Sequence, residues 1–283
     1  MSETPDILRK IVTHKRGELA TVMAAQPLAE VRARLADLED QPRGFCRALR
    51  AAADSGWTAV IAEVKKGSPS KGIIRSDFDP LEIAETYRQN GAACLSVLTD
   101  HDFFGGSPDD LVAARAATGL PALRKDFTVA DADVYDARAM GADAVLLIVA
   151  ALTDAELTRF VALARRLGVD ALVEVHDEGE LARALSAGAT LVGVNQRDLH
   201  SFAVDRERAL RVGAAIPEGV VAVAESGITG PGDLARLADA GFRAALVGEA
   251  LVTAPDARRA LLDLRGVPAE APTPVPAGGA SPR

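Results

Sequence analysis

The stretch ADAVLLIVA at 142–150, followed by TDAELTRFVALARRLG at 153–168 and VDALVEVH at 169–176, decides the fold. The first run is short, branched and apolar on both alternations, the pattern of a strand buried on both faces of a parallel sheet. The middle segment carries apolar residues at helical spacing. It opens on Thr153, a candidate N-cap, and ends on Gly168, a residue suited to a left-handed C-cap. The last run is a second strand of the first kind. The same phrase recurs along the chain in WTAVIAEVK (57–65), ACLSVLTD (93–100), PALRKD (121–126), ATLVGVNQ (189–196), GVVAVAES (219–226) and RAALVGEA (243–250). Helical segments such as 178–187 and 230–240 lie between these runs, with Asp177 and Ser201 as further candidate caps.

Eight strands alternating with helices over 57–265 match an α/β protein of the (β/α)8 TIM-barrel class with an N-terminal helical extension. An open doubly wound sheet is the competing architecture, but the GxGxxG turn expected after its first strand is missing. The sequence divides into a helical extension over 1–53, a catalytic barrel over 54–266 and a Pro/Ala-rich tail over 267–283. The extension carries apolar helical faces that need cover, so it is expected to pack on the barrel rather than form a partner-binding arm. The tail composition is that of a disordered segment.

Composition narrows the function classes. The chain has 283 residues, 48% hydrophobic and 25% charged, enough for a large core and unlike a disordered chain. The formal charge of −8 disfavours broad binding to nucleic acid or to an anionic membrane. The longest apolar run, 144–152, is too short to span a bilayer. Cys46 and Cys94 make neither a disulfide framework nor a zinc cluster. The first residues, MSETPDILRK, lack the marks of a signal peptide, so the expected location is the cytoplasm. Only six lysines occur: Lys10, Lys15, Lys65, Lys66, Lys71 and Lys125. An amine, unlike a guanidinium, can exchange its proton at accessible pH, so the few lysines carry weight.

Barrel enzymes build their sites at the C-terminal ends of the strands. Those ends are polar here. Strand one ends in Glu63 and Lys65, two apart and so on one face; strand three ends in Arg124-Lys125-Asp126. Strand five carries Glu174 and His176, strand six Asn195-Gln196-Arg197, strand seven Glu225-Ser226-Gly227, and strand eight is followed by Gly248-Glu249. Charges inside apolar strands are costly unless paired or used, and so many strand ends of this kind point to an acid–base site. His176, like His14, His101 and His200, reads more simply as a satisfied structural residue. The glycine turns at 226–228 and 247–250 suit a phosphate held by backbone N–H groups. The loop GSPSKG (67–72) can serve as a lid, and Phe103-Phe104 either hold a flat ring or fill the loop core. No His/Cys/Asp cluster has metal-ligand spacing, and no Ser–His–Asp order stands out.

These phrases resemble the indole-3-glycerol phosphate synthase family of tryptophan biosynthesis. The matching stretches are IAEVKKGSPSKG (61–72), LSVLTDHDFFGGS (95–107), LPALRKDF (120–127), YDARAMGADAVLLI (135–148), LVEVHDEGEL (172–181), VGVNQRDL (192–199), VAESGI (223–228) and ALVGEALV (245–252). They run in family order through nearly the whole barrel; Gly67 stands where alanine is usual, and the tail is extra. The resemblance implies a decarboxylating, dehydrating ring closure of 1-(2-carboxyphenylamino)-1-deoxyribulose 5-phosphate, with no cofactor and no metal. It implies Lys125 as general acid, with a pKa expected to be lowered by neighbouring cations. Glu174 becomes the second acid–base residue and Lys65 a substrate-anion and catalytic lysine, while Glu63, Asn195, Glu225 and Ser226 complete the polar ring. Ser68, Arg197, Gly227, Gly248 and Glu249 become substrate- and phosphate-binding residues, and Phe104, Phe127 and Leu147 walls for the anthranilate ring. How the proton transfers divide among Lys125, Glu174 and Lys65 stays open. The implied partner is a small phosphorylated metabolite, with no nucleic acid and no membrane, and with room for transient contact with other tryptophan-pathway enzymes. The rival readings are another phosphate-binding barrel, such as phosphoribosylanthranilate isomerase or a tryptophan synthase α-like lyase, and a non-catalytic metabolite-binding barrel.

Overall fold

The apolar runs do become strands, each a residue or more shorter than its run. The computed structural model describes residues 6–25, 28–36, 38–56, 58–69, 71–75, 77–198 and 201–266. The stretch 267–283, read from sequence as a tail, lies outside the described residues, as does His200. Eight parallel strands close into one barrel: β1 (Ala59–Val64), β2 (Cys94–Leu98), β3 (Ala122–Lys125), β4 (Ala144–Ile148), β5 (Asp170–Val175), β6 (Leu191–Asn195), β7 (Val221–Glu225) and β8 (Ala244–Val247). Each pairs with its sequence neighbours, and β1 closes the ring by pairing with β8 from Ala59↔Ala244 to Ala62↔Val247.

Helices cover the outside: α4 (Pro80–Gln89), α5 (Pro108–Thr118), α6 (Asp131–Ala139), α7 (Asp154–Arg166), α8 (Glu178–Ser186), α9 (Arg206–Gly213), α10 (Pro231–Asp239), α11 (Glu249–Val252) and α12 (Ala257–Leu264). Local chemistry starts and stops them where the sequence indicated. Thr153 caps α7, accepting from the Glu156 N–H while the Glu156 carboxylate returns to the Thr153 N–H; Asp177 caps α8. Gly141 and Gly168, at φ +87 and +73, hold the left-handed turns that lead from α6 into β4 and from α7 into β5. Ser201 is not a cap: α9 begins at Arg206 under Asp205, and the Ser201 hydroxyl is bonded to Asp198 instead.

The period-two alternation splits each strand between two apolar layers. Val60, Ala62, Leu95, Val97, Leu147 and Val173 point outward against the helices. Ile61, Cys94, Leu123, Ala144, Leu146, Leu172, Leu191, Val223 and Leu246 fill the barrel interior. Three helices precede β1: α1 (Asp6–Ala25), α2 (Leu28–Ala36) and α3 (Phe45–Asp54). Helix α3 plugs the N-terminal end of the barrel. Its Phe45 and Leu49 are fully buried in the interior cluster, and Arg43 N–H and Cys46 N–H donate to Asp143 and Asp170 at the starts of β4 and β5. Leu8 of α1 belongs to the same interior cluster.

Asp143 is the junction of that plugged end. It is fully buried and accepts from Arg43 N (2.6 Å), Ala122 N (2.8 Å) and two nitrogens of Arg115 (2.9 and 3.0 Å). Asp143→Ala leaves two backbone donors unpaired and the buried Arg115 guanidinium with only the half-exposed Asp40 and the Gln41 carbonyl, and it should cost about 3–5 kcal/mol of unfolding free energy. The urea midpoint checks this; a wild-type midpoint would show that the junction is not holding the plug.

Candidate active site

At the opposite end of the barrel lies a cavity of about 800 Å³, bounded by strand ends, the loops after them and α1. The alternation that fills the lower interior with apolar groups places Glu63, Glu174, Asn195 and Glu225 one layer higher, with Lys65 and Lys125 at the ends of their strands. All seven candidates for chemistry, namely Glu63, Lys65, Lys125, Glu174, Asn195, Glu225 and Ser226, line this one space. Ser68, Phe104, Phe127, Arg197, Gly227, Gly248 and Glu249 line it too. Leu147 does not. It is fully buried on the outer face of β4, and its neighbours Leu146 and Ile148 face the cavity instead. The alternation excludes Leu147 because adjacent strand residues point to opposite faces.

The charges form one coupled set. Lys65 Nζ lies 2.6 Å from Glu63 Oε1. Burial is the largest influence on Glu63 and works against its charge, but Lys65 and Lys125 outweigh it and hold its pKa below the ordinary value. Burial likewise opposes the charge of Lys125, yet Glu174, Glu63, Glu225 and Asp126 together raise its pKa above the ordinary lysine value. The lowered pKa expected for Lys125 is therefore corrected, because its neighbours are carboxylates rather than cations. Glu225 goes the other way. Burial, then the adjacent Glu174, push its carboxyl well above the usual range. Glu174 accepts from Asn195 Nδ2 at 3.0 Å and has His176 Nε2 at 3.4 Å. A carboxyl whose pKa is held high beside a second carboxyl is an arrangement that can both give and accept a proton.

Two glycines make room for this polar layer. A Cβ at Gly193 would stand 1.9 Å from Glu225 Oε1, and one at Gly248 2.2 Å from Glu63 Oε1. After β7 the chain turns through Ser226 and Gly227, both left-handed at φ +65 and +70. A non-glycine residue pays roughly 1–2 kcal/mol for that conformation, a strain that clusters at functional sites. Gln196 Nε2 donates to the Ser226 carbonyl at 2.7 Å and secures the turn. Across the mouth, Glu249 is ion-paired to Arg197 at 3.2 Å and to Lys71, so its carboxylate gathers two cations beside the glycine turns. Lys71 sits in a loop closed by a short antiparallel ladder, Gly67↔Ile73 and Ser68↔Gly72. Phe104 and Phe127 form a tilted pair with centroids 6.2 Å apart on the cavity wall. Phe103 instead meets His14 edge-on at 5.4 Å.

Several lining residues escaped the sequence reading. Helix α1 was expected to pack on the barrel; it lies across the mouth, with Ile7, Leu8 and Ile11 lining the cavity. Lys15 fastens it, 2.7 Å from the buried Asp100 and 3.3 Å from Asp126, the residue after Lys125. Phe202, Val204 and Thr229 also line the space, and a Cβ at Gly227 would meet Val204 at 2.4 Å. The i, i+4, i+8 run of Ile7, Ile11 and Lys15 marks one helix face, but nothing in it says which surface that face meets. The fold also gathers His14, Glu18 and Asp102, whose ligand atoms lie within 4.8 Å of one another. They come from α1 and the loop after β2, a pairing that sequence spacing does not reveal. Their polar atoms bond mainly to each other and to His101 and Lys15.

Comparisons with known proteins agree with this geometry. The family model for Indole-3-glycerol phosphate synthase matches residues 8–264. A protein of that name from Aromatoleum aromaticum is 52% identical over 261 residues, covering 92% of this chain and 99% of the relative. One from Polaromonas sp. is 51% identical, covering 93% and 99%. Among solved structures, an N-acetylmannosamine-6-phosphate 2-epimerase from Clostridium perfringens superposes with a TM-score of 0.56 at 17% identity, over 70% of this chain and 89% of that one. A thiamine phosphate pyrophosphorylase from Pyrococcus furiosus gives 0.55 at 15% identity, over 74% and 95%. At such identities these two speak for the barrel alone.

The cradle around Glu225 gives a direct test. Gly193→Ala must displace the Glu225 carboxyl, and a shift of about 1 Å at a catalytic group costs on the order of 100-fold in rate. Turnover of the folded variant, checked by circular dichroism, should fall by that order. Unchanged turnover would mean that the position of Glu225 is immaterial.

Proposed function

The chain belongs to the indole-3-glycerol phosphate synthase family, and on that premise we propose how its own residues carry out the family's reaction. The protein is a carboxy-lyase of tryptophan biosynthesis. It converts 1-(2-carboxyphenylamino)-1-deoxy-D-ribulose 5-phosphate to indole-3-glycerol phosphate, CO2 and water. The observation that carries the residue roles is the Lys125 ammonium, kept charged by Glu63, Glu174 and Glu225 in the same cavity as the Phe104–Phe127 wall.

The ring carbon bearing the carboxylate attacks the ketone carbon, and the carbonyl electron pair moves to oxygen. Lys125 donates its proton there, a transfer suited to a charged amine in an enclosed site. The carbon–carboxylate bond then breaks, CO2 leaves, and its electron pair restores the aromatic ring. The hydroxyl departs as water on receiving a second proton, while the neighbouring carbon of the new ring gives up a proton. The Glu174–Glu225 pair, with one proton between two carboxyls, suits both transfers. Two protons are given and one is returned, so each turnover draws one from solvent. Lys65, paired with Glu63, is the ammonium for the substrate carboxylate, and Asn195 orients Glu174. Ser226, Gly227 and Gly248 offer the backbone for the phosphate, with Ser68, Arg197 and Glu249 at the rim. Phe104 and Phe127 flank the anthranilate ring.

The division into an extension over 1–53, a barrel over 54–266 and a tail from 267 is part of this proposal. The seating of α1 and α3 against opposite ends of the barrel supports its first two parts. No helix among the described residues is long and apolar enough to cross a membrane. A cytoplasmic location is our reading of the cysteine usage, two free thiols at Cys46 and Cys94.

Indole fluorescence on mixing protein with substrate tests the assignment. A signal should rise with wild type, and in Lys125→Ala the rate should fall by about 100- to 10,000-fold, the range for loss of a general acid. Normal turnover in Lys125→Ala would remove it from the mechanism. Binding without any signal in the folded wild type would favour a metabolite-binding barrel.

A further inference from the structure

His176 stands two residues beyond Glu174, so the alternation returns it to the same face. Its ring is mostly enclosed, at 12% exposure, and bridges two carboxylates. Nε2 lies 3.4 Å from Glu174 Oε1, and Nδ1 lies 3.0 Å from Glu180 Oε2. The same Glu180 oxygen accepts the His176 N–H at 2.8 Å, and the Glu180 N–H is held by Asp177, the cap of α8, at 2.7 Å. Glu180 is thereby fixed behind the ring, and the ring behind Glu174.

We propose that His176 is a positioning residue: its ring, wedged between Glu180 and Glu174, helps hold Glu174 as the proton acceptor of the Glu174–Glu225 pair. The two carboxyls have unequal neighbours. Glu174 accepts from the Asn195 amide and has His176 Nε2 at 3.4 Å, an ion-pair approach without a hydrogen bond, whereas Glu225 Oε1 makes no hydrogen bond among the described residues. Lys125 acts on both, more strongly on Glu174 than on Glu225, and so works in the same direction as the His176 ring. The groups facing His176 are Glu174 on its own strand, Glu180 on α8 and Arg208 on α9. Burial, the largest influence, opposes its charge, as does Arg208. The Glu180 hydrogen bond and the two carboxylates outweigh them, so the ring holds its proton above the ordinary 6.5.

An imidazolium there resists uptake of a second proton by the carboxyl pair. With the charge removed, the carboxyl pair takes up its second proton at higher pH and its acceptor is lost. The inference rests on Glu174 as a proton-transfer group, as read above. The experiment is the pH dependence of kcat and KM for wild type, His176→Gln and Glu174→Gln. In His176→Gln the acid limb of kcat should move up by about one pH unit, the low end for loss of one neighbouring charge. On that limb the rate then falls by about tenfold, with KM unmoved because the ring does not line the cavity. A folded His176→Gln with the wild-type limb overturns the proposal. If His176→Gln does not fold, Glu180→Gln takes its place and should move the limb in the same direction. NMR titration should then show that the imidazole signal shifted by Glu180→Gln titrates above 6.5 in the wild type; a midpoint at or below that value overturns the proposal. Glu174→Gln separates the two readings. An inactive Glu174→Gln beside an unmoved His176→Gln limb removes the role of His176 alone, whereas an active Glu174→Gln removes the acid–base role of Glu174 itself.

Discussion

Closing eight parallel strands on themselves sends every second side chain into one shared interior. The interior has a floor and a rim, and this protein treats them differently. The floor is apolar, with Ile61, Leu123, Leu146, Leu172 and Leu246 packed above the plug formed by Phe45 and Leu49. The rim holds three carboxyl groups, Glu63, Glu174 and Glu225, around the Lys125 ammonium. In such surroundings each charge is tolerable only because of the others. Lys125 stays protonated because the carboxylates surround it, Glu63 stays ionised because two lysines attend it, and Glu225 stays neutral because Glu174 is close. The chemical readiness of the site is therefore a property of the set and does not belong to any one residue.

Space within the barrel is as constrained as charge. Inward positions on β6 and just after β8 carry no side chain, and the carboxyl groups of Glu225 and Glu63 occupy the room that Gly193 and Gly248 leave. Small residues next to large polar ones let a narrow barrel hold an acid–base layer without pushing its strands apart. The glycines after strands seven and eight were read from sequence only as a phosphate cradle. Gly248 has a second duty, since its missing Cβ also accommodates Glu63.

The helices before β1 close the barrel at both ends. Helix α3 seals the floor through Asp143 and Asp170, and α1 spans the rim, fastened by Lys15 to Asp100 and Asp126. Asp126 directly follows Lys125, so the fastening of the roof and the placement of the Lys125 ammonium share one short segment. Enclosure of this kind strengthens every electrostatic interaction inside and keeps water from a decarboxylation.

The sequence by itself determined the element order, the barrel and the ring of strand-end groups. These are local facts, because a two-residue period, a helical period and a capping residue each act over a few neighbours. The choice between Leu146 and Leu147 was not among them, since AVLLI carries no polar residue to mark its inner face and the pairing of Ile148 with Glu174 settles it. Three other features were decided only by the tertiary structure. Lys125 has a raised rather than a lowered pKa because carboxylates from β1, β5 and β7 converge on it. Helix α1 roofs the site because its apolar face happens to meet the rim and not the outer wall. His176 looked like a structural histidine until α8 brought Glu180 against it. The first two depend on groups far apart in the chain and the third on the turn from β5 into α8 that folds Glu180 back onto His176, so a charge or an apolar face acquires its meaning from the neighbours that folding supplies.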